Sequence, residues 1–453
     1  MKRKLKKSIE DKLNSKGFEG HRPPTSRRDF VKLGLLAGGA TFLPLNLFNQ
    51  AIALSLKNPT IPFLVFDLAG GAALPANFLV GQEGGPEDLC KDYSQHGWNP
   101  RAPESLDKRF GIPMSKQFSK IRQGLEESLP AQLLEDSQSF IKMASYCHFS
   151  LDDTSTNRSS SLTLIAKAGL QGNFIKSGLG NRASGSGGNS ESYLNDPRYI
   201  PKSISASDKM AELTSFGEEF ASLSQSTKQR IFDNLKEASR DIPQLQEIYE
   251  RISDKGNPEP KLNPSSNRAI QEIYAAAQNS DQEVEESAIV NCVLNGYSGP
   301  GVITIGGCDY HDNTQTTGDN KDLEIGLSIG RAISVAFSLG QPLFFQIITD
   351  GGIYAQSSQN FERVWAGDSN QHSMSVVGFF NPKGNVQLRK AQIGHYTPGG
   401  QVDQTTIIGS GPEKMAVGVL ANYLYLNNLL DQFNQITGLR MKASDIEDLL
   451  VFS

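Results

Sequence analysis

The chain is poor in the residues that usually announce a site: four cysteines, two tryptophans and six histidines are spread over 453 residues. Cys90, Cys147, Cys292 and Cys308 include no Cys-x-x-Cys spacing, which argues against a structural zinc site built from thiolates. Four cysteines allow three pairings, and spacing alone does not choose among them. Cys292 and Cys308 flank a Gly/Pro turn at 295–301 between two apolar runs, so they are the pair expected if a disulfide forms; four buried thiols are the alternative. Positive charge is missing where a polyanion would need it. Residues 1–53 hold 11 Lys/Arg against 4 Asp/Glu, and taking that +7 from the whole-chain −5 leaves −12 on residues 54–453. So acidic a body argues against nucleic acid as a partner. No internal repeat is visible. Leu33–Phe48 is apolar but interrupted by Gly34, Gly38, Gly39 and Pro44, and it is shorter than the ~20 residues of a membrane-spanning helix.

What precedes that apolar run is more specific. Residues 25–32 read Thr-Ser-Arg-Arg-Asp-Phe-Val-Lys, with Ser26 before the pair Arg27-Arg28, Phe30 after it and Lys32 closing the segment. This resembles a twin-arginine export signal, and Ala51-Ile52-Ala53 supplies a small-x-small cleavage site. The expectation is a signal over residues 1–53 and a mature domain over 54–453. The chain would then cross the membrane already folded, with the twin-arginine translocase as its partner during export. It would work in the periplasm or at the cell surface, and would contact a membrane only if the signal stays uncleaved.

The mature part alternates between two textures. Pro62–Leu68 is a short apolar run ended by Gly70-Gly71 and reads as a buried strand. Lys116–Gln138 has helical spacing, and Phe140–Phe149 returns as a strand. Residues 205–285 are charged and amphipathic, with a Ser226-Thr227-Lys228-Gln229 capping pattern, and read as a helical insertion. After Ile289 come a strand at Gly301–Gly306, a helix at Leu323–Leu339 and a strand at Leu343–Thr349. Further strands are expected at Met374–Phe380 and Thr405–Gly409, with a closing helix at Pro412–Phe433. This alternation predicts an α/β fold with a doubly wound, mostly parallel sheet.

In such a sheet ligands bind beyond the carboxyl ends of the strands. Asp67 stands at the end of the first strand, Asp309-Tyr310-His311-Asp312 follow the second, and Asp350-Gly351-Gly352 follow the third. Asp368 and His372 precede the next one. Carboxylates with imidazoles are the ligand set of a hydrolytic divalent-metal site, which can clamp the oxygens of a phosphate or sulfate ester. Any one of them, taken singly, also fits a turn residue or a helix cap.

The same segments carry a resemblance. Val65-Phe66-Asp67-Leu68-Ala69-Gly70-Gly71, Asn157-Arg158-Ser159, Gly169-Leu170-Gln171-Gly172-Asn173, Gly307-Cys308-Asp309-Tyr310-His311-Asp312-Asn313 and Thr349-Asp350-Gly351-Gly352 with Gly367-Asp368 and His372 are similar to motifs of the twin-arginine-exported domain of unknown function 1501 family, within the alkaline phosphatase superfamily. The resemblance implies an alkaline-phosphatase-like fold with metal ligands Asp67, Asp309, His311, Asp350 and His372. The divalent metal would be zinc foremost, manganese or calcium otherwise, and the substrate a small-molecule ester. The sequence departs from the family at Cys308, where Trp is common, and at Gly351, where active phosphatases carry His. It also stretches the Asp-His pair to Asp368-Ser369-Asn370-Gln371-His372. The loop Gly70–Pro75 holds no Ser or Thr, so a nucleophile must come from elsewhere or be a metal-bound hydroxide. Thr154, Ser155, Thr156, Ser159, Ser160 and Ser161 form one hydroxyl-rich loop that would supply it. Two further readings stand beside the hydrolase: a catalytically silent relative serving as a secreted binding or assembly module, and a secreted protein whose Asp and His residues are all structural.

Overall fold

The computed structural model describes residues 60–98, 105–135, 140–150, 160–172, 175, 178–181, 201–203, 264, 267–274, 280–308, 310, 315–349, 351–357 and 363–453. All of them belong to one compact unit. The signal segment with Arg27 and Arg28, and residues 205–263, 265–266 and 275–279 of the expected insertion, lie outside the described residues.

The strands are β1 (Phe63–Leu68), β2 (Leu106–Asp107), β3 (Met114–Ser115), β4 (Ile141–Cys147), β5 (Leu179–Gly180), β6 (Lys202–Ser203), β7 (Gly301–Ile305), β8 (Leu343–Thr349), β9 (Ile353–Ser357), β10 (Arg363–Asp368), β11 (Met374–Phe380) and β12 (Gln392–Ile393). Eight of them make the central sheet in the order β12-β4-β11-β8-β1-β7-β5-β6. Every neighbouring pair in it is parallel except the two pairs that β11 makes, with β4 and β8. The fold is α/β with a mostly parallel sheet, as the alternating texture predicts.

Two cores follow from the two-residue period of the strands. Leu64, Phe66 and Leu68 of β1, with Leu343, Phe345 and Ile347 of β8, face one layer. That layer is built from α1 (Leu74–Asn77), α2 (Lys120–Ser128), α5 (Arg268–Tyr274), α6 (Asp281–Leu294) and α7 (Gln315–Leu339). Phe63 and Val65, with Phe344 and Ile348, face the other. There α4 (Leu162–Lys167), α8 (Pro412–Leu426), α9 (Phe433–Thr437) and α10 (Ala443–Glu447) cover the sheet. Helix starts are chemically marked: Ser119 accepts from Arg122 N, Ser280 accepts from Glu283 N, and α8 opens with Pro412.

Some expectations are corrected. The helix expected over Lys116–Gln138 breaks at Pro130, which cannot donate to the preceding turn, and resumes as α3 (Ala131–Glu135). Thr405–Gly409 is a series of turns rather than a strand, because the Asp403 carboxylate takes the N–H and the hydroxyl of Thr405 at 2.9 and 2.7 Å. Of the two cysteine readings the alternative holds: no Cys292–Cys308 bridge forms, and all four cysteines are free and buried. Cys292 lies in α6, before β7, and Cys308 lies beyond its far end, so the rise of ~3.3 Å per strand residue holds them apart.

Candidate active site

β8, β1 and β7 are adjacent and parallel, so their carboxyl ends open on one edge. Asp67 is the penultimate residue of β1, opposite Thr304 of β7 and Ile348 of β8, and it is fully buried. Thr304 Oγ1 donates to Asp67 Oδ2 at 3.2 Å. Beyond β1 the chain turns through Gly70 and Gly71, whose φ of 106° and 80° only glycine adopts without strain. The loop is tied down on both sides. Ala69 N donates to Ile305 O at 3.0 Å, Cys308 N donates to Ala69 O at 3.1 Å, and Ala72 N donates to Thr349 Oγ1 at 2.8 Å.

Asp309, His311 and Asp350 lie outside the described residues. Tyr310, between the first two, is buried against Ala73, Ala76, Ile353, Ala355 and Trp365, its ring 4.7 Å from that of Trp365. Its hydroxyl reaches Asp322 and Asp319 on α7, and Asn77 Nδ2 donates to the same Asp322 Oδ2 at 2.7 Å. Burial pushes the Asp322 carboxyl up to about 7, although its bonds from Tyr310 and Asn77 oppose the rise. Cys308 is buried beside this group, and burial, reinforced by Asp322, holds its thiol well above the ordinary range.

His372 lies at the same edge, two residues before β11, whose Met374 pairs with Cys147 at the end of β4. Ser369 Oγ is 2.6 Å from its Nδ1, and Gln95 Oε1 is 2.9 Å from its Nε2. Both ring nitrogens are therefore engaged, and a metal at His372 would have to displace one of these partners. The ring stacks on Tyr354 at 5.4 Å and meets His96 edge-on at 5.8 Å. Burial first, then His96, lowers the His372 pKa to about 3. His96 and His148 are also buried neutral, each lowered by burial to about 4. His96 Nε2 contacts Gly400 O at 2.7 Å, and His148 Nε2 contacts Ser375 Oγ at 3.0 Å.

Of the hydroxyl-rich loop, Thr154, Ser155, Thr156 and Ser159 lie outside the described residues. Ser161 is fully buried in the opposite core and donates to Ala416 O at 3.2 Å, and Ser160 Oγ accepts from Leu162 N at 3.4 Å. Both serve the start of α4. Among the described residues no group of three His, Cys, Asp or Glu side chains is close enough to hold a metal ion. Sequence reasoning passed over Gln95, Asp322 and the Ser369–His372 contact. Only the last left a signal, a serine three residues before a histidine in a turn-rich stretch.

No family model matches the sequence, and no curated protein matches it. Two solved structures align with the chain. One is the alkaline phosphatase of the Antarctic bacterium TAB5, at 11% identity and a TM-score of 0.25, over 85% of this chain and 100% of that one. The other is a mutant of that enzyme with magnesium bound, with the same identity, TM-score and coverage. The fold described above rests on the strand order, not on this likeness.

Proposed function

We propose that the chain is an exported, metal-dependent hydrolase-like protein acting on phosphate or sulfate esters. The observation that carries this is the adjacency of β8, β1 and β7, which opens three parallel strands on one edge where the buried Asp67 stands. Asp309, His311 and Asp350 follow the other two strands in sequence, and with Asp67 they are the proposed ligands. His372 is left out of the set, because Ser369 and Gln95 hold its ring. Such a carboxylate-rich donor set suits zinc or manganese, which would supply Lewis-acid polarisation of the ester oxygens. Around it the chain's own work is to hold Asp67 with Thr304 and to fix the Gly70-Gly71 loop between β7 and β8.

The test is metal analysis of the purified mature protein, with hydrolysis of p-nitrophenyl phosphate and p-nitrophenyl sulfate. Wild type is expected to retain a divalent metal and to hydrolyse one of the esters, and Asp67→Asn and Asp309→Asn to reduce both metal content and turnover. Folded wild type without metal or turnover would favour the second reading, a silent relative used for binding or assembly. What favours that reading is the absence of any hydroxyl in Gly70–Pro75. Export is proposed through the twin-arginine route. Arg27→Lys with Arg28→Lys should leave precursor in the cytoplasm on fractionation, and normal export of that variant would remove the proposal.

A further inference from the structure

The turn before β11 holds an arrangement that the metal-site reading does not use. Ser369 N donates to Gly352 O at 2.5 Å and His372 N donates to Ser369 O at 3.3 Å, which fixes both residues on one rigid turn. Gly352 has no room for a side chain: a Cβ there would lie 2.5 Å from Ser369 O and 2.7 Å from the His372 carbonyl carbon. Within this frame the Gln95 amide oxygen, 2.9 Å from Nε2, can only accept, so Nε2 carries the ring proton. The Nδ1 lone pair is then the acceptor that faces the Ser369 hydroxyl at 2.6 Å. Stacking on Tyr354 and the edge contact with His96 hold the ring plane. His372 is buried and Ser369 is half-buried, and Ser369 Oγ also accepts from Gln371 N at 3.4 Å.

A hydroxyl on an imidazole nitrogen, with the other nitrogen oriented by a third group, is the constellation that activates a serine. We propose that Ser369 is the nucleophile of this protein, with His372 as its general base and Gln95 as the residue that positions the base. The proposal rests on the ester-hydrolase reading above and supplies the hydroxyl that Gly70–Pro75 lacks.

The step balances without a further reactant. Ser369 Oγ bonds to phosphorus, its proton passes to His372 Nδ1, and the phosphorus–oxygen bond to the alcohol breaks. The alcohol leaves with the proton that His372 returns. Water then attacks the phosphoserine, His372 takes its proton and hands it to the departing Ser369 oxygen, and inorganic phosphate is released. The substrate class follows from Gln95. An amide brings no charge to stabilise the imidazolium, so a base set in this way suits an ester that carries its own negative charge, and a phosphate monoester does. That charge raises the basicity which burial lowers in the free protein.

The test incubates the purified folded chain in EDTA with p-nitrophenyl phosphate, which carries the required charge, quenches in acid and locates the phosphoserine adduct by tandem mass spectrometry. Wild type should be labelled at Ser369, Ser369→Ala should lose the label, and His372→Gln should slow labelling about 100-fold, the scale of general-base assistance. Gln95→Glu keeps the acceptor but adds a charge that favours the imidazolium, so it should shift the pH midpoint of labelling upward, which a merely structural role would not do. Melting curves show which variants are folded. No adduct at Ser369 in folded wild type overturns the proposal, and so does labelling that His372→Gln and Gln95→Glu leave unchanged. Because labelling is read in EDTA, a labelled protein that retains no metal sinks the metal reading alone. A metal-bearing protein that takes no label sinks this one alone.

Discussion

The Tyr310 hydroxyl lies 2.5 Å from Asp322 Oδ2 and 3.2 Å from Asp319 Oδ1, so one phenolic proton faces two carboxyl groups. A single proton cannot serve two ionised acceptors. The burial that raises Asp322 to about 7 resolves the conflict by leaving that carboxyl largely neutral in mildly acidic solution. Asn77 bonds the same Asp322 oxygen and also accepts from Ser119 Oγ at 3.0 Å, linking the segment after the double glycine to α2 and α7. Tyr310→Phe removes the phenol from this buried network and should cost about 1–3 kcal/mol in urea unfolding. Asp322→Asn mimics the neutral carboxyl and should cost less. Equal losses for the two would show that the proton sharing is not what the network needs.

How much of this was legible in the sequence depends on the residue. Leu343–Thr349 and Met374–Phe380 are legible to the residue, because a strand buried on both faces is apolar nearly throughout, Gln346, Thr349 and Ser375 being the exceptions here. The apolar pattern marks helix α7 only from Leu323, although it starts at Gln315: its first turns are polar and carry Gly318, so nothing in the pattern marks them as helix. Asp67 was legible because the strand end and its double glycine are local in sequence. Gln95, the distant partner of His372, was not, since it is 277 positions away and only the fold brings it to the ring. Imidazole among carboxylates reads as a ligand until a turn decides what each nitrogen faces.

Arg331 and Glu286 form a buried pair across α7 and α6, with Nε–Oε1 at 3.1 Å and Nη2–Oε2 at 3.0 Å, and Tyr274 donates to Glu286 Oε1 at 2.7 Å. Removing Glu286 leaves the buried Arg331 with only Glu283, 3.8 Å away and a quarter exposed. Glu286→Ala should therefore cost about 3–5 kcal/mol in chemical denaturation, whereas Glu286→Leu with Arg331→Met should recover most of that loss. A double variant as unstable as the single one would locate the cost in packing.

Helices α2 and α7 touch backbone to backbone through glycines. A Cβ at Gly326 would lie 2.2 Å from Ile121 O, and one at Gly124 would lie 2.3 Å from Leu323 O. Gly326→Ala gains up to about 1 kcal/mol of helix propensity. It also forces the helices apart, and overpacking of this kind costs about 1–3 kcal/mol. The expected outcome is a net loss of stability, read by thermal melting. A stabilised variant would mean that the helices can separate freely.

Acid should destabilise the fold in a defined window. His96, His148 and His372 fall from the usual 6.5 to about 4, 4 and 3 in the folded state, each chiefly through burial. Between roughly pH 4.5 and 6 the unfolded chain therefore holds three protons that the native chain lacks, so stability rises with pH by about 4 kcal/mol per unit. Asp322 has the opposite sign. Raised from 3.8 to about 7, it holds a proton in the native state that the unfolded chain has released, and this removes one of the three. The net expectation is nearly 3 kcal/mol of lost stability for each unit the pH falls, by about the same relation. Asp107, whose burial is outweighed by its bonds to Arg109, and Asp403, held down by its bonds from Thr405, add losses only at lower pH. Urea unfolding of the full chain at half-unit pH steps measures the slope. Asp322→Asn cannot take up that proton and should steepen it toward 4 kcal/mol per unit, by about one proton's worth. A wild-type slope near zero across this window would show that the three imidazoles are not held neutral.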